Sequence, residues 1–112
     1  MREILVIFSA IAMMFAAAVF AQYSPPTAAG KAIYDKWCTP CHAPDIEGHY
    51  PGTVALQVKY KGEIPAALEE RTDLTASVIT TFVRQGVSIM PPFRKTEISD
   101  GELQVLIDYL EK

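Results

Sequence analysis

Cysteine is scarce in this chain: only two occur among 112 residues, Cys38 and Cys41. Histidine is as scarce, with His42 and His49 alone, so ligands at finger-like spacing for a structural zinc site are missing. No stretch alternates apolar and polar residues over strand length, which removes the strand-based classes. Basic residues form no stripe. Ten Lys and Arg stand against thirteen Asp and Glu, a formal charge of −3, and nucleic-acid binding leaves a basic footprint. Methionine is nearly absent beyond the N-terminus: Met1, Met13 and Met14 lie in the segment before Gln22, and only Met90 remains. No internal repeat and no low-complexity segment is present.

Apolar length is concentrated at the start. Arg2 is followed by an apolar run from Ile4 to Phe20 and by the small residue Ala21. That order reads as an export signal cleaved before Gln22. The run reaches only the lower end of the roughly 17–25 residues that a helical span needs. An uncleaved anchor is the alternative, and only it would bring a membrane into play. The small residues and short positive region favour cleavage, leaving residues 22–112 as one small domain. Arg2 and Glu3 leave together, so the charge stays at −3. A core of that size is marginal unless something large is bound within it.

The two cysteines stand three apart, in Trp37-Cys38-Thr39-Pro40-Cys41-His42. C-x-x-C-H is the spacing of covalent c-type haem attachment. On a helical turn, positions i and i+3 share a face, so two thiols there meet the two vinyl groups of one haem. The adjacent His42 then offers an imidazole nitrogen to the iron. Trp-Cys-x-Pro-Cys is also the form of a thioredoxin-like dithiol. That reading needs a buried strand ahead of the motif, whereas residues 28–36 are helical in pattern and carry no β-branched run.

A second iron ligand is sought among the remaining residues. Met90 precedes Pro91 and Pro92, which forbid continued helix and stiffen the loop. A lone methionine is ordinarily core filler. In a rigid Met-Pro-Pro turn of a chain with C-x-x-C-H it reads as the sixth, thioether ligand. His49 is the runner-up, seven residues from His42 in a turn-rich loop. Pro51, nine residues after His42, is placed for its carbonyl to accept the His42 Nδ1–H and so aim Nε2 at the iron; a plain turn proline is the other reading.

Helical signals order the rest. A first helix, capped by Ser24 or Thr27, runs to Trp37 and holds Gly30, a residue that close approach of another helix would explain. Val54 to Tyr60 is helix or extended. Ile64 to Glu70 reads as a short helix with Pro65 in its first turn. Thr75 caps a helix with Leu74 and Ile79 as a staple, an inner face of Val78, Ile79 and Phe82, and Gly86 at its end. Ser99-Asp100-Gly101-Glu102 is a capping box, with Ile98 stapled to Leu103 and an apolar stripe of Leu103, Leu106, Ile107 and Leu110. The expected class is all-α, with four to five short helices.

Taken together, Gly30, Tyr34, Cys38, Cys41, His42, Pro51, Met90-Pro91, Leu106 and Tyr109 make residues 22–112 resemble the small class I c-type cytochromes over nearly their whole length. The resemblance implies one covalent haem c wrapped by helices, with the first and last crossing at Gly30. It implies thioethers from Cys38 and Cys41, axial ligation by His42 and Met90, and a periplasmic location. A weaker likeness, over residues 61–100, is to the cytochrome subunits of flavocytochromes that oxidise alkylphenols, such as p-cresol methylhydroxylase. Two filled axial positions leave no site for substrate, so the expected role is one-electron transfer rather than catalysis. The partner is a redox protein, with a flavoprotein dehydrogenase suggested by the weaker likeness. A dedicated subunit of a flavoprotein oxidoreductase is the alternative, and a gas sensor or haem enzyme the third class. Candidates for the propionates are Arg71, Arg84, Lys59, Lys61, Tyr60 and Trp37. Arg84, Arg94 and Lys95 bracket the Met90 loop as a positive rim for docking.

Overall fold

The computed structural model describes residues 26–44 and 47–112. The leader, its cleavage after Ala21 and the Ser24 cap lie outside the described residues. No helix among the described residues is long and apolar enough to cross a membrane.

Among the described residues five α-helices follow one another: α1 (Pro26–Trp37), α2 (Thr39–His42), α3 (Pro51–Tyr60), α4 (Ala76–Gln85) and α5 (Asp100–Leu110), with a 3-10 turn at Leu68–Glu70. The all-α expectation holds; the only β-type pairing among the described residues is an isolated bridge between Val87 and Met90. α1 opens on Pro26, whose missing N–H costs nothing there, so Thr27 sits inside the first turn rather than capping it. Pro40 interrupts the helix for the same chemical reason: it has no N–H to return to the preceding turn. The chain tightens at Cys38 and resumes as α2.

The undecided stretch before Tyr60 is helix, and it starts earlier than Val54, at Pro51. The short helix expected from Ile64 to Glu70 does not form. Only Leu68–Glu70 makes a 3-10 turn, because Pro65 turns the residue before it away from the helical region and Gly62 leaves α3 with φ +87°.

α1 and α5 cross and carry the core. A methyl on Gly30 would collide with Tyr109 Cβ and lie 2.6 Å from the Val105 carbonyl oxygen, so glycine is what allows the crossing. Tyr34, Leu74, Ile79, Val83, Ile98, Leu103, Leu106, Ile107 and Leu110 form one buried cluster, each large aliphatic side chain contributing about 1.5–3 kcal/mol by leaving water. The expected inner face of α4 is corrected. Ile79 and Val83 are buried, whereas Val78 and Phe82 remain more than a third exposed. The stripe that meets α5 lies about 100° round the helix from theirs.

Caps fix the ends. The Val78 N–H donates to Thr75 Oγ1 at 3.3 Å. At α5 the Ser99 N–H donates to Glu102 Oε2 (2.8 Å) and the Glu102 N–H to Ser99 Oγ (3.2 Å), the reciprocal pair read from the sequence. The Tyr109 hydroxyl donates to Glu69, tying α5 to the 3-10 turn.

Candidate functional site

The site is built on α2. The amides of Cys41 (3.0 Å) and His42 (2.8 Å) both donate to the Cys38 carbonyl, which is the turn geometry that sets two thiols on one side. Both thiols are free; Cys41 is exposed and Cys38 half-buried. Burial, and then the neighbouring Cys41, push the Cys38 thiol up to about 12. Cys38 also packs against the core cluster, so the motif is anchored to the α1–α5 crossing.

His42 is fixed from three sides. Its carbonyl accepts the Tyr34 hydroxyl at 3.0 Å. The next carbonyl, of Ala43, accepts the buried Thr53 hydroxyl at 2.7 Å. The start of α3 lies against the ring: a methyl on Gly52 would sit 2.6 Å from Cε1 and 2.8 Å from Nδ1. Burial holds the imidazole below its ordinary pKa, which favours the neutral ring with a free lone pair. Nδ1 is buried and has no hydrogen-bond partner, so Nε2 is the nitrogen left for a metal.

The hydrogen bond expected from His42 Nδ1–H to the Pro51 carbonyl is therefore not made. Pro51 is the first residue of α3, where a carbonyl points along the helix towards the amide four residues on. His49, the runner-up ligand, has a side chain 68% exposed and lies 3.7 Å from Glu47.

Met90 closes a tight turn. The Val87 N–H donates to the Met90 carbonyl (3.0 Å) and the Met90 N–H to the Val87 carbonyl (2.9 Å). Ser88 takes φ +53° and Gly86 φ +67°. Gly86 is required twice, since a methyl there would also lie 2.5 Å from the Met90 carbonyl oxygen and 2.8 Å from the Pro92 nitrogen. Downstream, the Phe93 N–H donates to the Val83 carbonyl at 2.7 Å. The Phe93 ring meets Trp37 edge-on, with centroids 5.7 Å apart. That contact joins the residue before Cys38 to a residue three beyond Met90, so the motif and the methionine loop occupy the same end of the molecule.

The cations sort differently from expectation. Arg84 is engaged by the chain itself. Its Nη1 donates to the carbonyls of Phe93 (3.1 Å) and Ile98 (2.8 Å), and its Nη2 to Asp100 (2.9 Å). Lys95 also pairs with Asp100 (2.6 Å) and Arg94 with Glu97 (3.3 Å), so each cation of the expected rim has an acidic partner, Asp100 being shared by two. Arg71 is buried. It grips Asp73 through two bonds of 2.8 and 2.5 Å and lies over the Tyr60 ring at 4.8 Å. The Asp73 bond is the first cause of its raised pKa, and Arg71 in turn lowers that of Tyr60. Lys59 lies over the same ring at 5.2 Å, and Lys61 closes α3 in the left-handed region.

Gly52, Thr53 and the loop role of Arg84 were not legible in the sequence. The one available signal was the Pro51-Gly52 pair, a turn mark that proves to be the first turn of a helix.

A family model described as cytochrome c oxidase, cbb3-type, subunit III matches residues 25–110. No curated protein and no solved structure matches the chain.

Proposed function

The chain belongs to the cytochrome c family, in the cbb3-type oxidase subunit III group that residues 25–110 match, and we propose that it carries one electron at a time between protein partners through a single haem. Membership makes it a small c-type cytochrome of helical fold with covalently bound haem c. The residues present fit that group. Two free thiols share one turn, and the adjacent imidazole is neutral-leaning, with Nδ1 buried against α3.

When bound, the haem supplies a one-electron Fe(II)/Fe(III) couple. Cys38 and Cys41 would hold it by thioethers, and His42 Nε2 would be a ligand to its iron. Met90 would be the second protein ligand; the observation that supports this is the Trp37–Phe93 contact, which ties the methionine loop to the motif. The hydrogen bonds from Arg84 and between Val87 and Met90 keep that loop from swinging away. Two side-chain ligands would leave the iron no coordination site for a substrate, which supports a carrier rather than an enzyme. The family's usual compartment and the N-terminal export pattern support a periplasmic location. The partner is another redox protein. A flavoprotein dehydrogenase rests on the weaker likeness alone, while the name of the matching family favours, as a second reading, a subunit of a terminal-oxidase assembly.

Met90→Ala tests the ligand set. The wild type should be low-spin, show the weak far-red sulfur-to-iron band and ignore carbon monoxide. The variant should lose the band and bind the gas. A wild type that binds carbon monoxide readily at neutral pH would move the sensor or enzyme class to first place.

A further inference from the structure

Gly52 is the second residue of α3, and a methyl there would meet the motif at three atoms. A methyl there would lie 2.6 Å from His42 Cε1, 2.8 Å from His42 Nδ1 and 2.7 Å from the Cys41 carbonyl oxygen. Its φ is not in the left-handed region, so space, not backbone conformation, calls for glycine. Glycine within a helix costs up to about 1 kcal/mol against alanine, and close approach accounts for it here. A metal-binding histidine is ordinarily oriented by a hydrogen bond at its second nitrogen. His42 Nδ1 is buried and makes no such bond. What meets that edge instead is the backbone of α3, held in place by the Thr53 hydroxyl on the Ala43 carbonyl at 2.7 Å.

We propose that Gly52 is a positioning residue. By letting the start of α3 lie flat on the Cε1–Nδ1 edge of His42, it sets the rotation of the imidazole and so the direction of Nε2. The inference rests on His42 as axial ligand.

The test compares the haem-loaded wild type with Gly52→Ala and with Gly30→Ala, in which the added methyl collides with Tyr109 and the Val105 carbonyl rather than with His42. Three quantities are measured: the ferric low-spin electron paramagnetic resonance g-values, the haem-shifted proton resonances of His42, and the thermal midpoint. Gly52→Ala should displace the g-values and the His42 resonances. Gly30→Ala should lower the midpoint and displace neither. A Gly52→Ala protein that loses thermal stability but keeps wild-type spectra overturns the proposal, since Gly52 would then be a packing residue only. Should Gly52→Ala take up no haem, the ferrous wild type decides. A nuclear Overhauser effect between the His42 ε1 proton and the Gly52 α protons is expected, and its absence in the loaded protein overturns the proposal. The reading of His42 as ligand fails separately, by wild-type ring protons that show no haem shift.

Discussion

Thr53 carries its hydroxyl into a site almost without solvent and donates to the Ala43 carbonyl at 2.7 Å. Thr53→Val keeps the shape and removes the donor, leaving a buried carbonyl unpaired at a cost of about 1–3 kcal/mol. In a domain of this size that lowers the thermal midpoint by roughly 4–8 °C per kcal/mol. Thr80→Val, at an exposed position of α4, should move it little in the same scan, and equal effects would refute the buried-bond account. Residues of this kind mark the limit of sequence reading. Cys38, Cys41 and His42 are legible because their chemistry needs neighbours within one turn, and the sequence prints those neighbours side by side. Thr53 meets Ala43, and Gly52 meets His42, only after α3 has folded back. Nothing in the composition of residues 50–60 encodes that contact. Arg84 misleads for a related reason: a cation beside a functional loop suggests a surface charge, yet its partners are mostly main-chain carbonyls, which no residue type announces.

At the level of elements, α4 and the Met90 loop form one clamp. Gly86 turns the chain, the Val87–Met90 pair closes it, and Arg84 reaches from α4 across to Phe93 and Ile98. Hydrogen bonds from a charged donor contribute about 1.5–3 kcal/mol, so Arg84→Met, which keeps length and loses the donors, should destabilise the protein by an amount of that order. It should also weaken the far-red band of the loaded ferric protein and admit carbon monoxide more readily, although Met90 itself is untouched. Loss of stability with the band at full strength would restrict Arg84 to general packing. The helices with strong caps, α4 and α5, were legible from Thr75 and from Ser99 with Glu102, because capping chemistry is local. α3 was not. Its apolar residues follow no clear helical stripe, and Val58 is left largely exposed. The expected helix from Ile64 to Glu70 failed where Pro65 and the left-handed Gly62 outweighed its apolar spacing.

Across the whole molecule, the formal charge of −3 hides an uneven use of acids. Glu97, Asp100 and Glu102 all have carboxyls held below their ordinary values: Glu97 by the Arg94 backbone and side chain, Asp100 by Lys95 and then Arg84, Glu102 by the Ser99 backbone and then its hydroxyl. Glu97 lies in the segment that joins the Met90 loop to α5, and Asp100 and Glu102 lie in the first turn of α5. For a group whose folded pKa is depressed, the stabilisation is complete above the unfolded value and disappears as pH falls through the folded one. Unfolded Asp and Glu titrate near about 4, so the contribution is present at neutral pH and lost progressively below about 4. Protonation of Asp100 removes the partner shared by Lys95 and Arg84. Protonation of Glu97 releases the Arg94 amide, and that of Glu102 breaks the capping box. The joined consequence is local before it is global, because the buried α1–α5 crossing contains none of these acids. In an acid titration of the loaded ferric protein, the far-red band should therefore fade at a higher pH than the far-ultraviolet helical signal. Asp100→Asn should shift the fading of the band to higher pH and leave the helical transition nearly in place. Coincident loss of both signals would mean that the Met90 loop and the helical core unfold as one unit, and that these acids do not anchor the loop separately.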